Sequence, residues 1–374
     1  MFLALRDLRV ARGRFALIGA VVGMIAVLGV ILSGLASGLA DSGISALRAL
    51  PVTHLAFDRS ATGELFSRST VTTDTARQWA GQPGVRKAEP LGQQLVHARL
   101  GGAGGKQLDL AVLGVRPGGF LAPSPLSGKP LGGSGDPNGV LVSEEIVKEG
   151  VRIGDHLTAG QAGTDLTVIG TVGRASFGHV GIVYAPLPLW QRLHYGLPGA
   201  LPDAAAHQAT AVALQLAPGA DTTAIDHRLG TRTVDKAGTY AASPGYTAES
   251  STMTLIRGFL YAISALVVGS FFTVWTIQRR HEIALLKAIG AATGYILRDA
   301  LTQAAVVLLA ATTAGTAVGL ALGGAMNGSA PFSLQTDQVT LAAVLLIALG
   351  LAGAAVAIRR ITKVQALSAL GAER

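Results

Sequence analysis

The residues of this chain that could carry out chemistry are scattered rather than grouped. Its eight histidines are spread along the sequence without the spacing of a metal site, and cysteine is absent. The motifs H-E-x-x-H and G-x-S-x-G, typical of metalloproteases and esterases, do not occur. The glycine-rich stretches at 101–105 and 132–135 lack the Lys-Ser/Thr pair of a phosphate-binding loop. The sequence therefore predicts no enzyme, no intrinsic cofactor and no protein-held metal, and we interpret His179 as a surface-turn residue.

One short segment, residues 278–298, combines charged residues with an apolar stripe. The apolar positions recur at the spacing of a helix, at Ile283, Leu286 and Ile289. Arg279 and Glu282 fall on the polar side, and Gly290 marks the end of the turn. The pattern predicts an amphipathic helix that either lies at a membrane surface or docks against a cytoplasmic partner, and composition does not separate the two.

The chain that positions this segment is predicted to cross a membrane four times. Only 14% of its residues are charged, against about 25% in an ordinary soluble domain. Four stretches contain no charged residue: 15–40, 258–278, 300–336 and 338–358. Each is long enough to cross a hydrocarbon core, which takes roughly 20 residues of helix. The third is too long for one span, so we place its helix at 299–326. The first could be a cleaved signal peptide, but its apolar run is long for that and favours an uncleaved anchor.

The positions of the basic residues predict the orientation. Segments 1–14, 279–298 and 359–374, together with Asp299, carry the whole net charge of +8. Because Lys and Arg in short loops favour the cytoplasmic face, we expect a multi-pass α-helical protein of the plasma membrane with both termini in the cytoplasm. Residues 41–257 then form an extracytoplasmic domain, and 327–337 a short outer loop. Topology and anionic lipid headgroups explain the positive charge, so no nucleic-acid partner is expected.

The extracytoplasmic segment is predicted to fold as an α+β domain. Strands are expected at 52–57, 108–113, 166–169 and 211–216, and short helices at 73–80, 143–148, 187–194 and 221–229. Their alternation suggests βαβ units. The stretch 101–139, rich in glycine and proline, predicts an irregular insertion or a link between two lobes.

The segment Arg280-His-Glu-Ile-Ala-Leu-Leu-Lys-Ala-Ile-Gly-Ala resembles the signature R-R-x-E-I-x-x-L-[RK]-A-[LI]-G-A of MacB/FtsX-type ABC transporter permease subunits. One helix, a large outer domain and three more helices is also that family's topology. Residues 139–146 and 151–157 resemble its outer-domain pattern. The end of the chain, 359–370, resembles its terminal amphipathic segment, with Val364 where proline is often found.

This resemblance implies that the chain acts together with a separate ATPase, which binds the ATP and carries the ATPase activity. The residues implied in coupling to that ATPase are Arg279, Arg280, Glu282, Ile283, Leu286, Lys287 and Gly290. It also implies a homodimer with two ATPase subunits. The two copies would pair through their first and second helices, where the glycines that allow close backbone approach are Gly19, Gly23, Gly29, Gly34 and Gly38.

A narrower resemblance concerns the end of the first helix. The run Leu32-Ser-Gly-Leu-Ala-Ser-Gly-Leu-Ala40 is similar to the L-x-G-L-A-x-G-L-A run of HrtB-type haem exporters and DevC-type permeases. It implies haem, or another amphipathic compound of the outer leaflet, as a candidate substrate. Haem iron needs axial donors, and in a chain without cysteine the candidates are Met24, Tyr246, Glu249 and Met253. The alternatives are an FtsX-like regulator of a cell-wall hydrolase and a permease for lipoproteins or antimicrobial peptides.

Overall fold

The computed structural model describes residues 12–102, 104–196, 201–278, 285, 289–290, 292–325, 332–333 and 336–362. They form two compact units: a membrane unit within Met1–Leu39 and Ser250–Arg374, and an outer unit, Ala40–Glu249. The first helix, α1 (Arg12–Ala49), begins in the membrane unit and ends in the outer unit. This helix is longer than the predicted span at 15–40. The absence of charge identifies only the part of a helix that can lie in lipid, and the helix continues beyond it.

The outer unit is an α+β domain. Its strands are β1 (His54–Asp58), β2 (Val71–Thr72), β3 (Val85–Leu100), β4 (Lys106–Val115), β5 (Ser127–Gly128), β6 (Gly139–Ser143), β7 (His156–Ala159), β8 (Thr164–Val172), β9 (Ser176–Phe177), β10 (Val180–Pro186), β11 (Gln208–Ala209), β12 (Ala211–Leu216) and β13 (Thr231–Asp235). Its short helices are α2 (Leu65–Arg68), α3 (Thr73–Ala80), α4 (Glu144–Lys148), α5 (Leu187–Tyr195), α6 (Asp203–Ala206), α7 (Thr223–Leu229) and α8 (Lys236–Ala241).

One mixed sheet organises this domain, with the strand order β13-β1-β12-β3-β4-β10-β6-β8-β5. Strand β7 pairs with both β3 and β8, so β3, β4, β10, β6, β8 and β7 close into a ring. Most neighbours are antiparallel, and the parallel pairs are β4 with β10 and β6 with β8. The alternating strands and helices therefore do not build a parallel sheet of βαβ units.

Strand β3 connects the two halves of the sheet. It pairs with β12 from Val85 to Leu91 and with β7 from Ala98 to Leu100, while β4 runs along its other edge from Gly92. Strand β4 lies inside the glycine-rich stretch 101–139, so only part of that stretch is irregular.

Three apolar cores stabilise the outer unit. One contains Leu47 at the end of α1 together with Phe57 and Phe177, a second fills the ring of strands and includes Trp190 of α5, and a third surrounds Trp79 of α3. Glycines make room for that indole, because a Cβ at Gly92 would lie only 2.2 Å from the Trp190 ring. Helix α5 is therefore held tightly against the ring.

The membrane unit contains three further long helices, α9 (Tyr246–Gln278), α10 (Thr293–Ala325) and α11 (Thr336–Thr362). Together with α1 they are the four helices of the described chain that are long and apolar enough to cross a membrane. The predicted spans 258–278 and 338–358 lie inside α9 and α11, and 299–325 lies inside α10; residue 326 is outside the described residues.

Small residues set the spacing of these helices. A Cβ at Gly315 of α10 would lie 2.3 Å from the Gly23 carbonyl oxygen of α1, and one at Gly353 of α11 would lie 2.5 Å from the Ala265 oxygen of α9. Such close backbone approach is typical of helix pairs in lipid, where dispersion replaces the hydrophobic effect as the driving force.

Candidate functional site

Polar side chains gather within the outer unit where α1 ends and α9 begins. They come from the last turns of α1, from the turn between β9 and β10, from α8 and from the first turn of α9. We call this group the outer polar cluster; its members are Asp41, Ser42, Ser45, Arg48, Ser176, His179, Tyr240, Tyr246 and Glu249.

His179 is the centre of this cluster. Its Nε2 lies 2.9 Å from Oε1 of Glu249, and its Nδ1 lies 2.9 Å from Oγ of Ser42. An ionised carboxylate can only accept, so Nε2–H donates to Glu249 and, in the neutral ring, Nδ1 accepts from the Ser42 hydroxyl. The imidazole therefore bridges the outer end of α1 and the first turn of α9.

The backbone of His179 is held in an unusual conformation. Its φ of 68° makes it the one non-glycine residue with positive φ in the described part of the chain. The turn is fixed to α1 by two further hydrogen bonds, from the Gly178 amide to the Gly43 oxygen (2.9 Å) and from the His179 amide to the Ser42 oxygen (3.1 Å). A left-handed residue costs of order 1–3 kcal/mol and persists only where its surroundings fix it, as these four contacts do.

A second row of contacts continues along the same end of α1. Ser45 Oγ lies 2.8 Å from Oγ of Ser176, and Arg48 forms an ion pair with Asp41. The Arg48 guanidinium also sits 5.9 Å from the centre of the Tyr240 ring.

Two tyrosines complete the cluster. The ring of Tyr240 packs edge to face with that of Tyr246 at 6.5 Å. Burial of the phenol raises the pKa of Tyr240. The positive charge of Arg48 opposes this rise, and Tyr246 adds a smaller rise. The cluster thus brings together an imidazole, two carboxylates, two phenols and a guanidinium, groups that can ligate iron or hold the acidic groups of a substrate.

The predicted haem-binding residues do not all lie together. Tyr246 and Glu249 belong to the outer polar cluster, and Met253 follows Glu249 one turn later on α9. Met24 lies on α1, about 25 Å before Asp41 at the rise of an α-helix, and its side chain is 69% exposed. Among the described residues, no group of three or more His, Asp or Glu is placed to hold a metal ion.

The sequence predicts a role for Tyr246 and Glu249 but for none of the other seven members of the cluster, and it favours a surface turn for His179. The contacts of His179 join segments that are distant in the sequence: Ser42 and Glu249 are 137 and 70 residues from it. The Gly178-His179 dipeptide was the one local signal, since a histidine next to glycine at a tight turn can take positive φ.

Most of the predicted coupling residues, Arg279, Arg280, Glu282, Ile283, Leu286 and Lys287, lie outside the described residues. Three neighbours are described. The Ile289 amide donates to the Leu285 oxygen (3.1 Å), and both side chains are largely exposed. Gly290 follows with a φ of 97°, the left-handed conformation that commonly ends a helix.

The glycines predicted for dimer packing make contacts within the chain. A Cβ at Gly23 would lie 3.5 Å from the Ala311 oxygen, Gly19 faces the Ala311 side chain at 4.0 Å, and a Cβ at Gly34 would lie 2.3 Å from the Phe332 ring. Gly38 is buried. A different face of α1 is exposed in the single chain, lined by Leu17, Val21, Met24 and Leu28. Homodimer formation stays a prediction.

Two family descriptions match this chain. Residues 15–232 match the MacB-like periplasmic core domain, and residues 254–366 match the FtsX-like permease C-terminal region. Among individual relatives, the putative hemin transport system permease protein HrtB of Staphylococcus haemolyticus (strain JCSC1435) is 24% identical over 372 residues, 99% of both chains. The protein of the same name from Staphylococcus epidermidis RP62A is 22% identical over 234 residues, 63% of each chain.

Solved structures with partial similarity are outer domains. The periplasmic region of MacB from Actinobacillus actinomycetemcomitans aligns with 52% of this chain and 93% of its own, at 13% identity and a TM-score of 0.35. The extracellular domain of the transporter YknZ from Gram-positive bacteria aligns with 48% and 96%, at 16% identity and a TM-score of 0.34. The match to the periplasmic core domain alone spans more than half of the residues, and the permease region follows it along three membrane helices. The chain belongs to the MacB/FtsX family of ABC transporter permeases.

Proposed function

We propose that this chain is the permease subunit of an ATP-driven exporter whose substrate is haem or a similar amphipathic compound of the outer leaflet. The observation that carries the proposal is the similarity, over 99% of both chains, to a protein named as a putative hemin transport permease. The outer polar cluster adds support, because its donors are of the types that ligate haem iron.

The energy comes from a separate ATPase. The chain has no phosphate-binding loop, so ATP is hydrolysed by a partner. Two ATPase subunits dock on residues 279–291 of two permease copies, on the cytoplasmic side that the basic residues mark. Exposed Leu285 and Ile289 supply apolar contact area for that docking. ATP-driven closure is transmitted through the helices to the outer units, in a mechanotransmission scheme in which the substrate need not cross the bilayer.

The substrate site includes Tyr246, Glu249 and Met253, with His179 as a further donor. Without substrate, Nε2 of His179 donates a hydrogen bond to Oε1 of Glu249 at 2.9 Å. An iron that takes Nε2 of His179 as its axial ligand must break that hydrogen bond. Substrate binding therefore releases the turn that carries His179 from α9, which gives the outer unit a way to respond to the substrate.

A haem titration tests the substrate assignment. Haem added to the purified full chain in nanodiscs is expected to shift its Soret band, and the shift should weaken in Glu249→Gln and Met253→Leu. His156→Ala is a matched control, because His156 is an exposed histidine that pairs with Asp165 at 3.0 Å outside the cluster. An absent shift, or one that both substrate-site variants retain in full, contradicts the assignment.

ATPase stimulation tests the coupling assignment. Glu282→Ala and Gly290→Val are expected to uncouple stimulation of the co-purified ATPase while the permease still inserts. Gly290 has a φ of 97°, which valine adopts only at a cost, whereas Gly294 has no heavy atom near its Cβ position and no such φ. Gly294→Ala is thus the control. Full stimulation in Glu282→Ala and Gly290→Val would refute the docking segment.

Haem-independent behaviour would point to the alternatives. A complex whose ATP hydrolysis responds to a cell-wall hydrolase, to a lipoprotein or to an antimicrobial peptide, and not to haem, would replace haem export with the corresponding function.

A further inference from the structure

The outer unit contains a cleft that the proposed substrate site does not use. Its volume is about 820 Å³, within the range of sites for drug-sized ligands. It opens where β3 changes neighbours, after its pairing with β12 ends at Leu91 and before its pairing with β7 begins at Ala98. The turn Gly160–Gly163 and the end of α5 form the other walls.

The walls of this cleft are firmly held. The Gly160 amide donates to the His97 oxygen at 3.0 Å, which attaches the turn to β3. On the α5 side, His194 stacks on Trp190 at 4.8 Å, and its Nδ1 lies 3.0 Å from Oε1 of Gln94. The cleft is therefore a feature of the packed domain.

The positive charge of Arg99 favours an anion, and no acidic residue is among the residues that line the cleft. Arg99 forms no ion pair with any residue in the described part of the chain.

One face of β3 combines apolar and polar groups. Leu95, His97 and Arg99 alternate along the strand and so lie on the same side, all exposed. Asp109 Oδ1 lies 2.6 Å from His97 Nδ1, which leaves Nε2 of that ring available. A carboxylate behind an imidazole is the arrangement that orients histidine toward a metal.

Leu95 also links the cleft to the outer polar cluster. A Cβ on Gly178, the residue before His179, would lie 3.6 Å from the Leu95 side chain. The cleft thus begins beside the turn that the cluster holds.

We propose that this cleft is a second binding site, for an amphipathic ligand that carries carboxylates, with Arg99 binding the acidic groups and Leu95 the apolar body. Where the ligand contains iron, His97 supplies an axial nitrogen. The identification of the ligand as haem rests on the proposed function, whereas the binding of carboxylates by this cleft does not. The site lies next to the outer polar cluster and receives the same molecule as it enters or leaves.

The test uses the full chain in nanodiscs and two probes, haem and metal-free protoporphyrin IX, which share their carboxylates and differ in iron. Arg99→Gln is expected to weaken the binding of both probes at this site about tenfold or more, since it removes a charge-assisted contact. His97→Ala is expected to weaken haem alone. Arg86→Gln, an exposed arginine at the start of the same strand, and His156→Ala, with the same histidine–aspartate pairing, are the matched controls.

The outcomes separate the two proposals. Protoporphyrin binding that falls in Arg99→Gln but not in Arg86→Gln supports the cleft even if haem does not bind and the proposed substrate fails. Haem binding that Glu249→Gln weakens and Arg99→Gln and His97→Ala leave unchanged supports the proposed function and overturns the cleft. Hydrogen exchange provides a second readout, because the ligand should protect residues 94–99 and 158–163 in the wild type. No protection there overturns the proposal as well.

Discussion

His179→Ala should loosen the contact between the β9–β10 turn and α1. The change removes two side-chain hydrogen bonds, to Ser42 and Glu249, and keeps the strained φ of 68°. A hydrogen bond contributes about 0.5–1.5 kcal/mol, and at a partly exposed site we take the lower half of that range for each. Because alanine keeps the same left-handed backbone, the strain is not relieved. The free energy that holds the turn against α1 therefore falls by about 1–2 kcal/mol.

Amide hydrogen exchange measures this loss where it occurs. The amides of Gly178 and His179 donate to Gly43 and Ser42 of α1, so they exchange only when the turn opens. A loss of about 1–2 kcal/mol should accelerate their exchange roughly 5–30-fold. Mass spectrometry of a peptide spanning 176–181 reports it directly, with His156→Ala as the unaffected control.

His179→Gly separates the hydrogen bonds from the strain. Glycine loses the same two bonds but accepts φ of 68° freely, so its exchange should be faster than wild type and slower than in His179→Ala. Unchanged exchange in His179→Ala, or equal exchange in the two variants, would refute the reasoning that this residue is strained and held by its side chain.

Three further predictions concern other parts of the chain. Gly315→Leu should destabilise the membrane unit, since its Cβ would meet a carbonyl of α1 at 2.3 Å; Gly324→Leu, at a position with open space, should not, and thermal aggregation in detergent compares them. Partial burial lowers the pKa of His194 from its ordinary 6.5. As the pH falls, the unfolded chain therefore binds a proton at this residue before the folded chain does. The folded state keeps its full stability above about pH 6.5 and loses stability as the pH falls below it. His194→Gln should therefore flatten the fall in Tm between pH 7.5 and 5.5, and an unchanged slope would contradict this sign. Arg257→Leu should loosen the outer end of α9 from α1, because its Nη2 donates to a carbonyl of α1 at 3.3 Å, and faster exchange in the first turns of α9 would show it.

The membrane helices and the α+β class of the outer domain could be predicted from sequence because their signals are local. Absence of charge over a span length indicates a helix in lipid, and a short apolar run bounded by turn residues predicts strands such as β12 at 211–216. The long strand β3 was missed because Pro90, Gly92 and two adjacent glutamines interrupt its alternation. Its three pairing partners, β4, β7 and β12, stabilise the strand in spite of that weak local pattern.

The candidate site was harder to predict for a related reason. Tyr246 and Glu249 were selected because they precede a membrane span, and that reasoning could not identify what faces them. His179 reaches Glu249 only because the β9–β10 turn is bonded to α1 by contacts over more than a hundred residues of sequence. The glycines of α1 show a similar limit. Their spacing predicts close helix packing, but the sequence does not say against which helix. In the structure, Gly23 packs against α10 of its own chain.

Export of haem by this permease through a partner ATPase is tested most directly by the rate of ATP hydrolysis. The full chain is reconstituted in nanodiscs with the ABC ATPase that co-purifies with it, and the rate is measured with and without haem. We expect a rate that rises with haem in the wild type, that no longer responds to haem in Glu249→Gln, and that stays uncoupled in Glu282→Ala. A rate that haem leaves unchanged in the wild-type complex would contradict haem export.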